Sequence, residues 1–374
     1  MNQLSPILSE DLTQIKSIFG IDTFFATETV SYQEGVIFKG NLRGEPQQTH
    51  AKLSAKLKSI CSDKYRLFLV ESPEDKPVVI VLPSSQDPAI TTLSQKNLAL
   101  VLFVATVFTS FEAISLMLGF DLFKQSNRFL ASLPLALGLL LILAVHEIAH
   151  HIVAKRYQVK LSIPFFLPSW QVGSFGAINR FESLLPNRQA LFDIAFAGPA
   201  LGALVSLLVL VAGLFNSSNG ILQVPSTIFH SSILVGILAR LTLGDALTES
   251  MVKISPLVAL GWLGLMITAV NLLPAGQLDG GRIALAIYGR KIARRLTLAT
   301  IIILGLVALG NPDNSLALYW ELVILFLQRE LEKPSLNEIS EINDTRAALG
   351  LLVFVGALLV LFPIVPSLSA RLGF

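Results

Sequence analysis

Charge is scarce in this chain. Only 14% of its 374 residues are Asp, Glu, Lys or Arg, against about a quarter in soluble domains. Positive and negative charges nearly cancel, leaving a formal net charge of +2. That balance offers no strongly basic surface for nucleic acid. A single cysteine, Cys61, excludes an internal disulfide. The first residues, MNQLSPILSEDLTQIKSIFG, lack a basic stretch followed by an apolar core. They read as neither a cleaved signal peptide nor an obvious transit peptide, which points to a bacterial source.

Apolar residues are abundant. The chain is 53% hydrophobic, with a mean hydropathy of +0.66. These values describe a multi-pass α-helical membrane protein. About seven stretches are long enough to span a bilayer: 97–119, 130–156, 190–214, 256–273, 296–310, 315–328 and 346–366. A further apolar piece, 228–243, contains Arg240 and is short. It reads as a re-entrant or interfacial helix.

The first 90 residues have a different character. Asp11–Phe19 has helical spacing, with Ser9 or Asp11 as its cap. Residues 22–30 and 35–40 are β-rich. Ala51–Ile60 has a helical period that places Leu53, Leu57 and Ile60 on one face. Two further strands, Tyr65–Glu71 and Pro77–Leu82, flank a turn-rich linker. The order αββαββ describes a soluble α/β domain over 1–90, a regulatory or docking unit. Residues 83–88 then lead into a membrane core over 97–300, with additional transmembrane helices over 301–374.

Basic residues set the orientation. Lys155, Arg156 and Lys160 follow the second span; Arg282, Arg290, Lys291, Arg294 and Arg295 follow the fourth; Arg329, Lys333 and Arg346 follow the sixth. The opposite loops are poorer, with none in 311–314. The positive-inside rule makes the rich side, and the N-terminal domain, cytoplasmic.

The chemistry lies in the second span, which carries His146-Glu147-Ile148-Ala149-His150. On a helix the two histidines lie one turn apart on the same face and can hold one zinc ion. Glu147 is placed to take a proton from a water activated there. An ionisable group at bilayer depth costs about 2.5–3.5 kcal/mol on insertion scales, so a compensating metal is expected. The fourth span ends in Asn271-Leu272-Leu273-Pro274-Ala275-Gly276-Gln277-Leu278-Asp279-Gly280-Gly281. Both spans run inward, so Asp279 reaches the depth of His146 and His150 and can be the third ligand. His151 falls off that face. Asp193, early in the third span, is a candidate support for the metal ligands. Gly198 and Gly202 make a GxxxG pattern suited to close helix packing.

HEIAHH in one span and NLLPAGQLDGG at the end of another resemble the site-2 protease family of intramembrane zinc metalloproteases. Phe192–Pro199 and Gly173–Ile178 resemble, respectively, that family's stretch on the intervening span and its substrate-binding β-hairpin. Gly40-Asn41-Leu42-Arg43 is similar to the cyanobacterial and plastid branch, which includes the plant ethylene-dependent gravitropism-deficient and yellow-green proteins. The resemblance implies a zinc endopeptidase with one zinc ion, Glu147 as the catalytic base, and His146, His150 and Asp279 as ligands. It implies substrate contacts at Asn271, Gly173, Ser174, Phe175 and Gly176. The hairpin glycines fit an open edge strand that pairs with an unwound substrate, beside interfacial Phe165, Phe166 and Trp170. The implied partner is a membrane-anchored protein within the lipid bilayer, in a bacterial plasma or thylakoid membrane, or a plastid membrane in a plant. An inactive zinc-binding scaffold and an ion-coupled transporter are the alternatives. Nothing in the sequence sets the oligomeric state.

Overall fold

The structure is a computed structural model. It describes residues 7, 9–32, 34–310, 315–328 and 330–364; residues 311–314, 329 and 365–366, which enter the readings above, lie outside the described residues.

The N-terminal region follows the expected order. It comprises α1 (Ser9–Lys16), β1 (Phe24–Tyr32), β2 (Gly35–Leu42), α2 (Pro46–Cys61), β3 (Tyr65–Glu71) and β4 (Pro77–Pro83). The strands form an antiparallel sheet in the order β1-β2-β4-β3. One face packs Phe24, Phe38, Leu69, Val79 and Val81 against Ile15, Leu53 and Leu57 of the two helices. The buried row of α2 is Thr49, Leu53, Leu57 and Cys61. Ile60, expected on that face, is exposed, because the sheet-facing row advances four residues at each step. Burial pushes the Cys61 thiol up, with the nearby Asp11 carboxylate adding to the effect.

The membrane region begins with α3 (Leu93–Met117) and α4 (Phe129–Arg156), then the hairpin β5 (Phe165–Ser169) and β6 (Gly173–Ile178). α5 (Arg188–Phe215), β7 (Leu222–Pro225), α6 (Ile233–Leu243), β8 (Met251–Ile254) and α7 (Pro256–Asn271) follow. The last elements are α8 (Asp279–Gly310), α9 (Ser315–Val323) and α10 (Asp344–Leu361). Polar caps mark several starts. Thr92 and Gln95 form a capping box on α3, Asn187 caps α5 and Asn343 caps α10.

Five helices among the described residues are long and apolar enough to cross a membrane: α3, the Ser126–Arg156 segment containing α4, α5, α8 and α10. α7 is apolar but shorter, and α9 continues only as a π-helical turn over Ile324–Gln328. Two of the seven expected stretches are therefore short helices. A third, 296–310, is not separate. It is the end of α8, whose backbone bends at Gly289 (φ 75°). Residues 279–295, which the sequence reading leaves between two spans, belong to the same helix. The piece expected at 228–243 contains the eleven-residue helix α6.

α5 runs through the middle of the bundle and packs on α4, α7 and α8. Its Phe192, Leu210 and Leu214 join Val258, Leu265, Ala269 and Ile283 in the main core. Arg346 of α10 is held to α5 by a two-pronged pair with Asp193, both bonds 2.7 Å. Tyr157 donates to the same carboxylate. Asp193 thus ties three elements together and makes no contact with His146, His150 or Asp279 among the hydrogen bonds of the described residues.

The α/β unit does not stand apart from this bundle. The second face of its sheet, with Phe68, Val70 and Val78, packs against Leu184 and Leu336. The extended segment 336–338 lies between the two bodies. Leu69 N–H donates to the Leu336 carbonyl (2.8 Å), and Glu338 N–H donates to the Leu69 carbonyl (2.9 Å). On its other side, Leu336 N–H donates to Leu185 (2.8 Å) and Asn337 N–H to Pro186 (3.0 Å). The β3 edge is thereby paired at Leu69, and one strap bonds backbone groups of both bodies.

Proline at position 338 removes the amide that donates to Leu69. In Glu338→Pro, amide hydrogen exchange along β3 should rise well above that of Glu338→Gln, which loses only the ion pair to Arg290. Equal exchange in the two variants would mean that the strap does not protect the edge.

Candidate metal centre

α4 delivers His146, Glu147 and His150; Asp279 is the first residue of α8, reached after the turn that ends α7. All four are buried, none more than 9% exposed. His146 Nε2 lies 3.2 Å from Asp279 Oδ2, and His150 Nε2 lies 3.4 Å from the same oxygen. One ligand atom from each residue lies within 4.8 Å of the others. Tetrahedral zinc with bonds of about 2.0–2.1 Å sets its ligand atoms about 3.3 Å apart. The donor set and spacing therefore fit zinc.

The second nitrogen of His150 fixes its tautomer. Nδ1 sits 2.6 Å from the Ile194 carbonyl of α5. A carbonyl only accepts, so Nδ1 carries the proton and Nε2 is the nitrogen left to face a metal. α5 also makes room for the imidazoles. A Cβ at Gly198 would lie 2.1 Å from His150 Nε2, and one at Gly202 would lie 2.9 Å from His146 Nδ1. The GxxxG pair thus seats the two histidines as well as bringing helices close.

Glu147 is held by a residue that sequence reading missed. Asn179, just beyond β6, donates from Nδ2 to Glu147 Oε2 at 2.5 Å. Its backbone carbonyl accepts from Arg282 (2.6 Å), which pairs with Glu332 (2.9 Å) and lies over the Phe181 ring. Arg282 is 4% exposed. In the sequence Arg282 reads only as one of the basic residues that set orientation. Its place three residues after Asp279, on the same face of a helix, was the available signal.

The hairpin lies against this site. Gly173, Ser174, Phe175 and Gly176 are all buried, whereas an open strand edge was expected. α3 and α7 cover them: Thr109 donates to the Gly173 carbonyl (2.5 Å), and Asn271 Nδ2 donates to the Phe175 carbonyl (3.0 Å). Gly176 packs on Asn271, where a Cβ would meet Nδ2 at 2.7 Å. Phe175 stacks on Tyr319 and meets Trp320 edge-on. Of the aromatics expected at the interface, Trp170 is exposed and stacked on Phe123, while Phe166 is buried in the core. His151 bonds the Glu147 carbonyl and faces Ser162, away from the donor cluster.

The crowding at Gly198 yields a test that removes no donor. Gly198→Ala should lose most of the bound zinc, measured by elemental analysis of purified protein, with helix content unchanged. Asn179→Ala should keep zinc, because the Asn179 side chain bonds Glu147 and none of the three ligands. Full zinc occupancy in Gly198→Ala would show that His150 is free to shift away.

Known proteins share both parts of the chain. Residues 134–309 match Peptidase family M50, and residues 13–88 match the EGY3 middle domain. A protein of Arabidopsis thaliana named probable zinc metalloprotease EGY2, chloroplastic, is 43% identical over 354 residues, covering 92% of this chain and 63% of its own length. The Arabidopsis protein named probable zinc metalloprotease EGY1, chloroplastic, is 38% identical over 409 residues, covering 97% of this chain and 73% of its own length. The Oryza sativa subsp. japonica protein of the same name is 39% identical, covering 98% and 69%. The chain spans a little under two thirds of the EGY2 relatives it matches. No solved structure matches it. The resemblance expected from HEIAHH and NLLPAGQLDGG holds: residues 134–309 are a peptidase family M50 (site-2 protease) domain, and over nearly its whole length the chain belongs to the family of the EGY proteins.

Proposed function

We propose that the chain is an intramembrane zinc endopeptidase that cuts a membrane-anchored protein within or near its transmembrane segment. The observation that carries this reading is the trio His146, His150 and Asp279, with both imidazole Nε2 atoms 3.2–3.4 Å from one carboxylate oxygen and Glu147 on the same helix turn. Zinc bound there would act as a Lewis acid and would lower the pKa of a water. Glu147 takes the proton from the attacking water and passes it to the leaving amine. Asn179 holds that carboxylate in place, leaving its own Oδ1 buried without a partner among the described residues.

Substrate enters beside β6. Its helix must unwind before a peptide bond can reach the site, and an extended stretch can be held by backbone pairing. Gly173, Ser174, Phe175 and Gly176 form the strand it meets, and Asn271 fixes that strand through the Phe175 carbonyl. Because β6 is covered by α3, α7 and α9, access requires a neighbouring helix to move. Residues 1–90 form a regulatory or docking domain on the cytoplasmic side, residues 97–300 the protease core, and residues 301–374 additional membrane helices. Seven crossings, with α7 and α9 as the short ones, are consistent with Asp279 reaching the depth of His146. The chloroplastic relatives favour a plastid or thylakoid membrane.

Zinc content and cleavage of a model single-span substrate test this together. His146→Ala, His150→Ala and Asp279→Ala should each lose most of the zinc. Glu147→Gln should retain zinc and lose cleavage by about 10²-fold or more, the range for removing an acid–base group. Ala177→Pro should retain zinc and cut poorly, since proline removes an amide of the strand. Normal cleavage by Glu147→Gln would overturn the assignment.

A further inference from the structure

A cavity of about 850 Å³ lies between the β3–β4 turn and the bend of α8. Its walls include Glu71 and Asp75 of the turn, Arg188 of α5, Glu330 and Glu338, and Gly289 to Ile301 along α8. The cations and acids are not equally engaged. Arg290 pairs with Glu338 at 2.8 Å, and Lys291 with Asp75 at 3.0 Å. Arg188 spends its donors on the Ala286 and Ile287 carbonyls. Arg294 and Arg295 have neither an acid nor an acceptor among the described residues, and both are exposed.

The same helix face changes character one turn on. Lys291, Arg294, Leu298 and Ile301 are spaced three or four residues apart and line the cavity together. Leu298 is exposed, as are Ile302 and Leu306 further along, so the apolar side of α8 faces lipid from about Leu298 onward. The bend at Gly289 restarts the helix at Arg290, and Arg294 and Arg295 both line the cavity. The site is thus cationic at the membrane surface and apolar just below it.

We propose that this cavity binds an anionic diacyl lipid, in the leaflet on the side of the α/β unit. The headgroup anion sits between Arg294 and Arg295, and an acyl chain lies along Leu298 and Ile301. A lipid meets both halves of the site, whereas a free anion satisfies only the arginines. Basic pockets at membrane surfaces select anionic headgroups in this way. The lipid would bridge α8 to the β3–β4 turn, which Lys291 and Asp75 already join.

The test uses the purified full chain in detergent with phosphatidylglycerol and phosphatidylcholine added in equal amounts, read by native mass spectrometry. Wild type should retain phosphatidylglycerol in preference. Arg294→Gln/Arg295→Gln should reduce that preference by about thirtyfold, the loss expected for two surface cations. Arg294→Lys/Arg295→Lys should retain most of it, which separates charge from a folding defect. Lys155→Gln/Arg156→Gln, at another basic helix end, should leave it unchanged. An unaltered preference in the glutamine variant would overturn the site. Displacement of the lipid by inorganic phosphate alone would assign it to a free anion instead.

Discussion

Three ionisable side chains meet inside an apolar helix bundle, and much of the architecture follows from keeping them together. Two imidazoles and a carboxylate cannot be buried singly without a large desolvation cost. They are tolerable as a cluster, and more so as a metal site. Clustering demands that α4 and α8 meet at one depth, although 133 residues separate His146 from Asp279. α5 lies between them in sequence and supplies what neither helix has. Its Ile194 carbonyl orients one imidazole, and its glycines leave space for both.

Around the cluster the polar groups form a chain. Glu147 leans on Asn179, the Asn179 carbonyl on Arg282, and Arg282 on Glu332. Glu332 begins the stretch that continues into the strap beneath the α/β sheet. Each member is buried and bonded to the next, with Asn179 Oδ1 alone in this chain left without a partner among the described residues. The α/β unit and the carboxylate of the site are linked by these hydrogen bonds and the chain that runs from Glu332 to Leu336.

The sequence made the local elements plain. Turn residues and alternating apolar positions located all four strands of the α/β unit, and the HExxH spacing with one acid at matching depth brought out His146, His150 and Asp279. Contacts that depend on backbone were hidden. The Leu336–Glu338 strap pairs through amides and carbonyls, which any residue type supplies, so nothing in the side chains sets it apart within 301–374. Arg282 looked like a surface charge because its partner, Glu332, is distant in sequence. The start of α8 is hidden for a different reason: its first half is rich in basic residues, so hydropathy marks only the apolar end, 296–310, of a helix that bends at Gly289.

The strap also sets an order on the making of the protein. Leu69 leaves the ribosome early, but its partners Leu336 and Glu338 follow only after most of the membrane helices have been synthesised. At roughly 5–20 residues per second, that interval is on the order of tens of seconds. Throughout it the β3 edge carries unpaired amides and carbonyls, the kind of surface that another extended chain can join. The α/β unit therefore leaves the ribosome with its four strands complete but the β3 edge open at Leu69 until the bundle behind it has been made.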